Sequence, residues 1–272
     1  MPKDTAIETP SLASVLQSAN RKYGKNTIGI SESMEILDIE RIPTGLPKLD
    51  QALGGGFVKG SISELYGPLS SGKSLISFLT IAQAQKMGLE TIYFDVESAY
   101  DEFWVSKLGV NTKKLVVSQM SIGEDIIDLL CKLLDANPGV IVIDSVAAIL
   151  TQNELEDDTE KLHIAPIARL LSYGLKKITA HNKNTCLIFI NQLRDKITNF
   201  GAIPYTPGGK MLPYMSTIRV EVKKDSQLLT VDGKKTSDPV GQICNWKITK
   251  NKSAPPQGYG SFRYYFDAHI EE

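Results

Sequence analysis

An apolar segment, Ile62-Ser63-Glu64-Leu65-Tyr66, runs into Gly67-Pro68-Leu69-Ser70-Ser71-Gly72-Lys73-Ser74, which in turn runs into Leu75-Ile76-Ser77-Phe78-Leu79. Strand, glycine-bracketed turn and amphipathic helix in that order make a phosphate-binding loop of the G-x-x-x-x-G-K-[ST] pattern. The glycines let the backbone wrap so that its N–H groups face an anion, reinforced by the helix N-terminus. Lys73 is then placed to reach the outer phosphates, and the Ser74 hydroxyl to ligate Mg²⁺. The plainer reading is a Gly/Ser turn carrying a solvated lysine. The flanking strand and helix favour the nucleotide.

The chain has 272 residues, 42% of them hydrophobic, which suits one large α/β domain with a small appendage. No apolar run approaches the ~20 residues that span a bilayer, so no membrane role is expected. The N-terminal Met-Pro-Lys-Asp-Thr-Ala-Ile-Glu-Thr-Pro lacks the apolar stretch of a signal peptide. Cys131, Cys186 and Cys244 are odd in number and lack C-x-x-C spacing, so they read as buried thiols in a reducing cytoplasm. The net charge of −1 carries no nucleic-acid signature, but nine Lys/Arg face four acidic residues between Lys210 and Lys252. Glu154 to Glu160 reads as an acidic loop. Either segment could also be an ordinary solvated face.

Periodicity predicts a helix over Ser11–Lys22 capped by Gly24, and a short strand over Glu35–Ile39. Further on it predicts a strand ending at Tyr66, a helix over 73–87, a strand over Thr91–Val96, and a helix from about Glu102. A strand at Leu115–Ser118, a helix from Gly123 to Leu134 and the continuous apolar strand Val140–Asp144 follow. A helix near Ile164–Ala180, the strand Cys186–Asn191, and a strand-rich end with a hairpin turn at Asp232-Gly233 complete the pattern. The expected fold is a P-loop ATPase core, a mostly parallel sheet with helices on both faces and antiparallel C-terminal strands.

Asp144 ends its strand where a carboxylate can hold Mg²⁺ through water; its alternative is a helix N-cap. Glu97, just past the strand Thr91–Val96, can activate a water for in-line attack on a γ-phosphate. Gln192 ends the strand Cys186–Asn191, near enough to sense that phosphate. The sixteen residues from Arg194 to Gly209 show no clear element and read as a switchable loop. Arg194, Lys196 and Lys210 suit phosphates, Gly201, Gly208 and Gly209 close approach, and Phe200 and Tyr205 packing against bases.

The chain resembles the RecA-type recombinases, bacterial RecA more closely than eukaryotic and archaeal members. The resemblance runs from about Leu12 to the C-terminus. It rests on Arg21–Lys25, Ile42–Gly45, Tyr66–Ser74, Asp95–Glu97, Lys107–Val110, Val142–Ala148, Phe189–Arg194, Gly208-Gly209 and Lys250–Pro255. It implies an ATP- and Mg²⁺-dependent helical filament on single-stranded DNA that pairs homologous duplex DNA and exchanges strands. Residues 1–40 would supply a polymerisation helix and linker strand, and 41–272 the ATPase core. Within the core, DNA-binding loops would lie near 154–163 and 194–209. The nucleotide would be held by Gly67 to Ser74, by Asp101 and Trp104 at the adenine, and by Lys250 and Lys252 reaching across from a neighbouring protomer. Catalysis would fall to Lys73, Glu97 and Gln192, and Mg²⁺ to Ser74 and Asp144. DNA contacts would come from Ser172, Lys176, Arg194, Lys196, Phe200, Gly208 and Gly209.

Leu69 stands where bacterial RecA usually has glutamate, Ser74 where it has threonine, and Pro213 where a lysine near the protomer contact is usual. The small C-terminal domain and acidic tail of bacterial RecA are expected to be missing, as in a phage- or plasmid-encoded core. A second reading is a RecA-like accessory ATPase that loads a partner without exchanging strands.

Overall fold

The computed structural model describes residues 10–24, 27–29, 39–156, 166–198, 201–230 and 238–272. The chain divides into two units, Met1–Ile39 and Glu40–Glu272. In the first, helix α1 (Leu12–Tyr23) starts at Ser11, whose hydroxyl accepts from the Ser14 N–H at 3.3 Å, and ends at Gly24. No residue of α1 is buried, and Leu12 and Val15 on its apolar stripe are exposed. The strand expected over Glu35–Ile39 falls almost wholly outside the described residues.

The second unit opens with β1 (Arg41–Ile42), α2 (Pro47–Leu53) and β2 (Phe57–Val58), β1 and β2 pairing antiparallel. Next come β3 (Ile62–Gly67), α3 (Lys73–Lys86), β4 (Thr91–Asp95), α4 (Glu102–Lys107), β5 (Leu115–Ser118), α5 (Gly123–Asp135) and β6 (Val140–Asp144). They are followed by α6 (Gln152–Glu156), α7 (Pro166–His181), β7 (Cys186–Gln192), β8 (Arg194–Thr198), β9 (Gly201–Tyr205) and α8 (Met211–Met215). Long strands β10 (Ile218–Thr230) and β11 (Pro239–Asn251), then β12 (Gly258–Tyr265) and β13 (Ile270–Glu271), complete the unit. The turn expected at Asp232-Gly233 lies outside the described residues, although β10 and β11 on either side of it pair antiparallel.

Nine strands form one sheet in the order β13-β12-β11-β10-β3-β7-β6-β4-β5. The six from β10 to β5 run parallel, and the C-terminal strands continue antiparallel. The apolar runs in the sequence are continuous because both faces of these strands are covered. Alternate residues serve opposite layers: Val140, Val142, Ile188 and Ile190 pack with Phe78 and Ile81 of α3, while Ile141, Ile143, Leu187 and Phe189 pack with Ile126 and Leu130 of α5 and Leu175 and Ile178 of α7. Gly174 lets α5 and α7 close, since a Cβ there would lie 2.2 Å from Ile127 Cδ1. Cys186 and Cys244 are buried, and burial pushes their thiols up to about 12 and about 11; Cys131 is only half-buried.

Two expectations need correction. The stretch Arg194–Gly209 is not structureless: β8 and β9 form an antiparallel hairpin pairing Arg194 with Tyr205 and Thr198 with Gly201. Arg194-Asp195-Lys196-Ile197-Thr198 carries no apolar alternation, so the pairing with β9 is not written in the sequence pattern. The acidic segment also begins as a helical turn, α6. Thr151 N–H and Oγ1 both donate to Glu154 Oε2, at 2.8 and 2.9 Å, and Glu154 N–H donates back to Thr151 Oγ1 at 3.3 Å. That reciprocal pattern is a capping box, readable in Thr151-Gln152-Asn153-Glu154.

Phe189, 1% exposed, locks β7 onto the α5–α7 layer. Phe189→Ala is expected to cost about 3–5 kcal/mol, read as a lowered urea midpoint. A loss below about 1 kcal/mol would show that this layer does not fix β7.

Candidate nucleotide site and nucleic-acid surface

The parallel strands bring the candidate residues to one edge of the sheet. Gly67 pairs in register with Gln192, and Asp95 with Asp144. The phosphate loop, Glu97, Asp144 and Gln192 therefore all emerge from carboxyl ends of neighbouring strands, where open α/β sheets bind ligands.

Within the loop the two motif glycines are required by their surroundings. A Cβ on Gly67 would lie 1.9 Å from the Val222 carbonyl oxygen, and Gly72 has φ 99° with its Cβ position 2.9 Å from Cys244 Sγ. Pro68 and Leu69 form the outer turn, with Leu69 exposed, and Ser70 takes a positive φ of 54°. Ser71 is fully buried. Lys73 folds back over the turn, its Nζ donating to Pro68 O at 2.6 Å, Gly67 O at 3.2 Å and Ser71 Oγ at 3.4 Å. Burial holds the Lys73 ammonium below its ordinary range, against the pull of Asp144 and Glu97. A desolvated cation inside a turn of backbone amides is chemically matched to phosphate.

Ser74 Oγ donates to Asp144 Oδ2 at 2.6 Å, and Tyr93 Oη donates to the same oxygen at 2.8 Å. Asp144 thus accepts from side chains instead of capping a helix, and its N-cap alternative is not what the structure shows. A hydroxyl and one carboxylate beside a phosphate cradle is a hard-oxygen donor set that fits Mg²⁺, which usually completes its shell with substrate phosphates and water. Among the described residues no group of three or more His, Cys, Asp or Glu forms a metal cage.

Glu97 Oε1 accepts from Gln192 Nε2 at 2.7 Å and from the Ser145 hydroxyl. Gln192 is itself fixed: its N–H donates to Asn191 Oδ1 at 3.0 Å. The Asn191 amide donates to Glu64 Oε1 at 3.1 Å and to Pro207 O at 3.0 Å. Glu64, fully buried, accepts from Arg219 Nε at 2.6 Å. The water-activating candidate and the phosphate-sensing candidate are therefore bonded to each other, on a strand end anchored to the core.

Trp104 lines a cavity of about 210 Å³ with Ser70 to Leu75, Gln242 and Tyr264. Asp101 does not line it: its carboxylate caps α4, accepting from Trp104 N–H at 3.1 Å, and faces a separate shallow cleft with Tyr100 and Phe103. Lys250 and Lys252 also lie apart from the loop cavity of their own chain. Lys250 Nζ donates to Pro213 O at 2.7 Å and Tyr214 O at 2.8 Å. It lines a cavity of about 1100 Å³ with Tyr66, Tyr205, Lys210, Tyr214 and Arg219. Burial, then Lys252 and Arg219, hold its ammonium down. Lys252 is exposed.

Of the candidate DNA contacts, Arg194 is exposed at the root of β8, Lys196 lies on β8, and Phe200 falls outside the described residues. Ser172 and exposed Lys176 border a groove along α7 with Arg169 and Tyr173, and Ser172 Oγ donates to Ala168 O at 2.7 Å. Gly208 and Gly209 dock onto the same helix, where added Cβ atoms would meet Leu171 at 2.6 Å and Ala168 at 2.9 Å. The base of the hairpin and the Ser172 groove therefore share α7.

Tyr93, Ser145, Gln242 and Tyr264 were not singled out from sequence. Tyr93 had one signal, a hydroxyl in the middle of an otherwise apolar strand. Gln242 and Tyr264 had none, because only strand order brings β11 and β12 beside a loop some 170 residues earlier.

Burial pushes the Asp144 carboxyl above its ordinary range, with Ser74 and Tyr93 pulling it back. A folded-state value above the unfolded one means that the native state binds the proton more tightly. Stability on this account falls as the pH rises from about 4 through the folded value, and is level above it. Asp144→Asn removes that titration. The variant is expected to melt above the parent near pH 7.5, with the gap closing toward about pH 4. Thermal melts at the two pH values check this; a gap that widens on acidification would show that the hydrogen bonds outweigh desolvation.

The RecA N-terminal domain family matches residues 10–271 of the chain. Protein RecA of Thermus aquaticus is 38% identical over 263 residues, covering 94% of this chain and 76% of that protein. Protein RecA of Campylobacter jejuni subsp. doylei is 39% identical over 262 residues, with 94% and 75% covered. Protein RecA of Heliobacterium modesticaldum is 40% identical over 252 residues, with 90% and 71% covered. A family match over nearly the whole chain, joined to relatives of this identity and coverage, places the chain in the RecA family.

Proposed function

We propose that the chain is an ATP-dependent DNA recombinase, cytoplasmic and acting as a helical filament on single-stranded DNA, which pairs homologous duplex and exchanges strands. The observation that carries this reading is the bond from Gln192 to Glu97. It joins the carboxylate beside the phosphate loop to the strand end from which the basic hairpin springs.

In this proposal Lys73 and the loop amides bind the phosphates, and Ser74 and Asp144 would hold Mg²⁺, which would supply positive charge against that developing on the phosphoryl oxygens. Glu97 takes the proton of the attacking water. Ser145 and Gln192 orient its carboxylate, and Gln192 exchanges that contact for the terminal phosphate when ATP is present. Arg194 and Lys196 then sit on one strand that moves with Gln192, which couples DNA contact to nucleotide state. Lys250 and Lys252 lie away from the loop of their own chain, as expected of groups that serve a neighbouring protomer. The exposed apolar stripe of α1 suits packing between protomers.

The testing experiment is ATP hydrolysis with and without single-stranded DNA, followed by strand exchange between homologous substrates. A recombinase shows DNA-stimulated hydrolysis and joint-molecule formation. Hydrolysis without exchange supports an accessory ATPase, and no hydrolysis in either condition overturns the proposal. Glu97→Gln is expected to lower turnover by about 10²–10⁴ while leaving single-strand binding in place.

Arg194→Ala with Lys196→Ala removes two phosphate contacts. For single strands the slope of log affinity against log salt is expected to become shallower by about 1.4. Fluorescence anisotropy of a labelled oligonucleotide across a salt series measures it. An unchanged slope would move the DNA path away from the hairpin.

A further inference from the structure

Lys250 and Lys252 flank Asn251, the last residue of β11. Side chains along a strand alternate between faces, so the two lysines leave one face and Asn251 the other. Asn251 is buried: its Nδ2 reaches Leu53 O at 3.5 Å, and its Oδ1 accepts from the Ser253 N–H and the Ser253 hydroxyl, both at 2.9 Å. The Lys252 N–H donates to Thr217 O at 3.0 Å. An ammonium has three protons to give. Lys250 spends two on Pro213 O and Tyr214 O and keeps one for a ligand.

One further side chain fastens this turn. Arg41 of β1 donates from Nη1 to Leu53 O at 2.9 Å and to Gly56 O at 3.2 Å, and from Nη2 to Ser253 O at 2.7 Å. Leu53 ends α2, where backbone carbonyls lack helical partners and attract a cation. The guanidinium thus bridges the end of α2 to the residue directly after Lys252. Among the described residues no carboxylate pairs with Arg41; its bonds go to carbonyls. The glycine run beside it is shaped to the contact. A Cβ on Gly55 would lie 3.3 Å from Arg41 Cδ, and one on Gly54, which has φ 82°, would lie 2.8 Å from Ala254 Cβ. A lysine could not repeat the bridge, because it offers one nitrogen where the planar fork offers several.

We infer that Arg41 is a positioning residue for Lys250 and Lys252, locking the turn after β11 onto α2 so that both ammonium groups meet a polyphosphate held by a second copy of the chain. The inference rests on the proposed reading that these lysines serve a neighbouring protomer. Arg41 itself touches no ligand. A purely structural Arg41 would steady its own chain, and its loss could not be made good by another chain's lysines.

Mixing variants of the full chain separates the two roles, with ATP hydrolysis in the presence of single-stranded DNA as the readout. Lys73→Ala spoils the loop and keeps the lysines; Lys250→Ala and Arg41→Ala keep the loop and spoil the lysine side. Arg41→Ala alone is expected to hydrolyse about tenfold more slowly, the effect of displaced positioning groups. Mixed equally with Lys73→Ala, it is expected to run about fivefold above the mean of the two separate rates, since an intact loop then meets undisturbed lysines. Mixed with Lys250→Ala, it should stay at the mean, because both chains lack the same half. Arg41→Lys keeps the charge without the fork; it is expected to show the same pattern and serves if Arg41→Ala fails to fold. A parent-like rate for the folded variant overturns the inference. So does a Lys73→Ala mixture that gains nothing from the Arg41 variant while gaining from Lys250→Ala. If Lys73→Ala and Lys250→Ala also fail to restore each other, the neighbouring-protomer reading falls, and this inference with it.

Discussion

One carboxylate oxygen, Asp144 Oδ2, organises the candidate site. It receives the Ser74 hydroxyl from the first turn of α3 and the Tyr93 hydroxyl from the middle of β4, while Asp144 itself ends β6. Three elements far apart in the chain are thereby held at one point. Hydrogen bonds to a charged group contribute about 1.5–3 kcal/mol each, and an unpaired buried carboxylate would cost several. Burial pushes the Asp144 carboxyl up and the Lys73 ammonium down even though Asp144 accepts two side-chain hydrogen bonds and Lys73 donates to three oxygens. A magnesium-bearing polyphosphate would supply both with what burial removed.

A second polar centre joins the two halves of the sheet. Arg219 and Glu64 sit opposite each other in the register of β10 and β3, and their ion pair is buried on the Glu64 side. The Arg219 guanidinium also lies 4.4 Å from the centroid of the Tyr66 ring, whose hydroxyl bonds Thr249 on β11. Buried pairs are often neutral for stability because desolvation offsets attraction, but they are exacting about geometry. Here a shift of one residue between β3 and β10 would separate the pair. The pair fixes β10 against the strand bearing the loop, and the Tyr66 hydroxyl ties that strand to the antiparallel β11.

The parallel core was legible because strands covered on both faces are written as uninterrupted apolar runs, as in Val140-Ile141-Val142-Ile143. The loop was legible because its glycines and lysine have fixed spacing. Glu97 and Gln192 could be assigned to the same sheet edge from strand ends alone; that they bond to each other could not, since side-chain direction is a tertiary outcome. The hairpin β8–β9 was missed because Arg194, Asp195, Lys196 and Thr198 outweigh the single isoleucine of that strand. Asp101 shows another limit: an acidic residue at the start of a helix reads equally as a cap or as a ligand group, and in this structure it caps. Tyr264 was out of reach because its neighbours come from the other end of the chain.

The hairpin's two roots are not equivalent. Gln192 leads directly into β8, while the returning strand is followed by Pro207, tied to Asn191, and by Gly208-Gly209 seated on α7. One root continues the sheet, and the other is packed against a helix. The arm from Arg194 to Thr198 extends about 16 Å at strand rise. Both strands of the hairpin are thereby carried on the core, one continuing from the sheet edge and the other seated on α7.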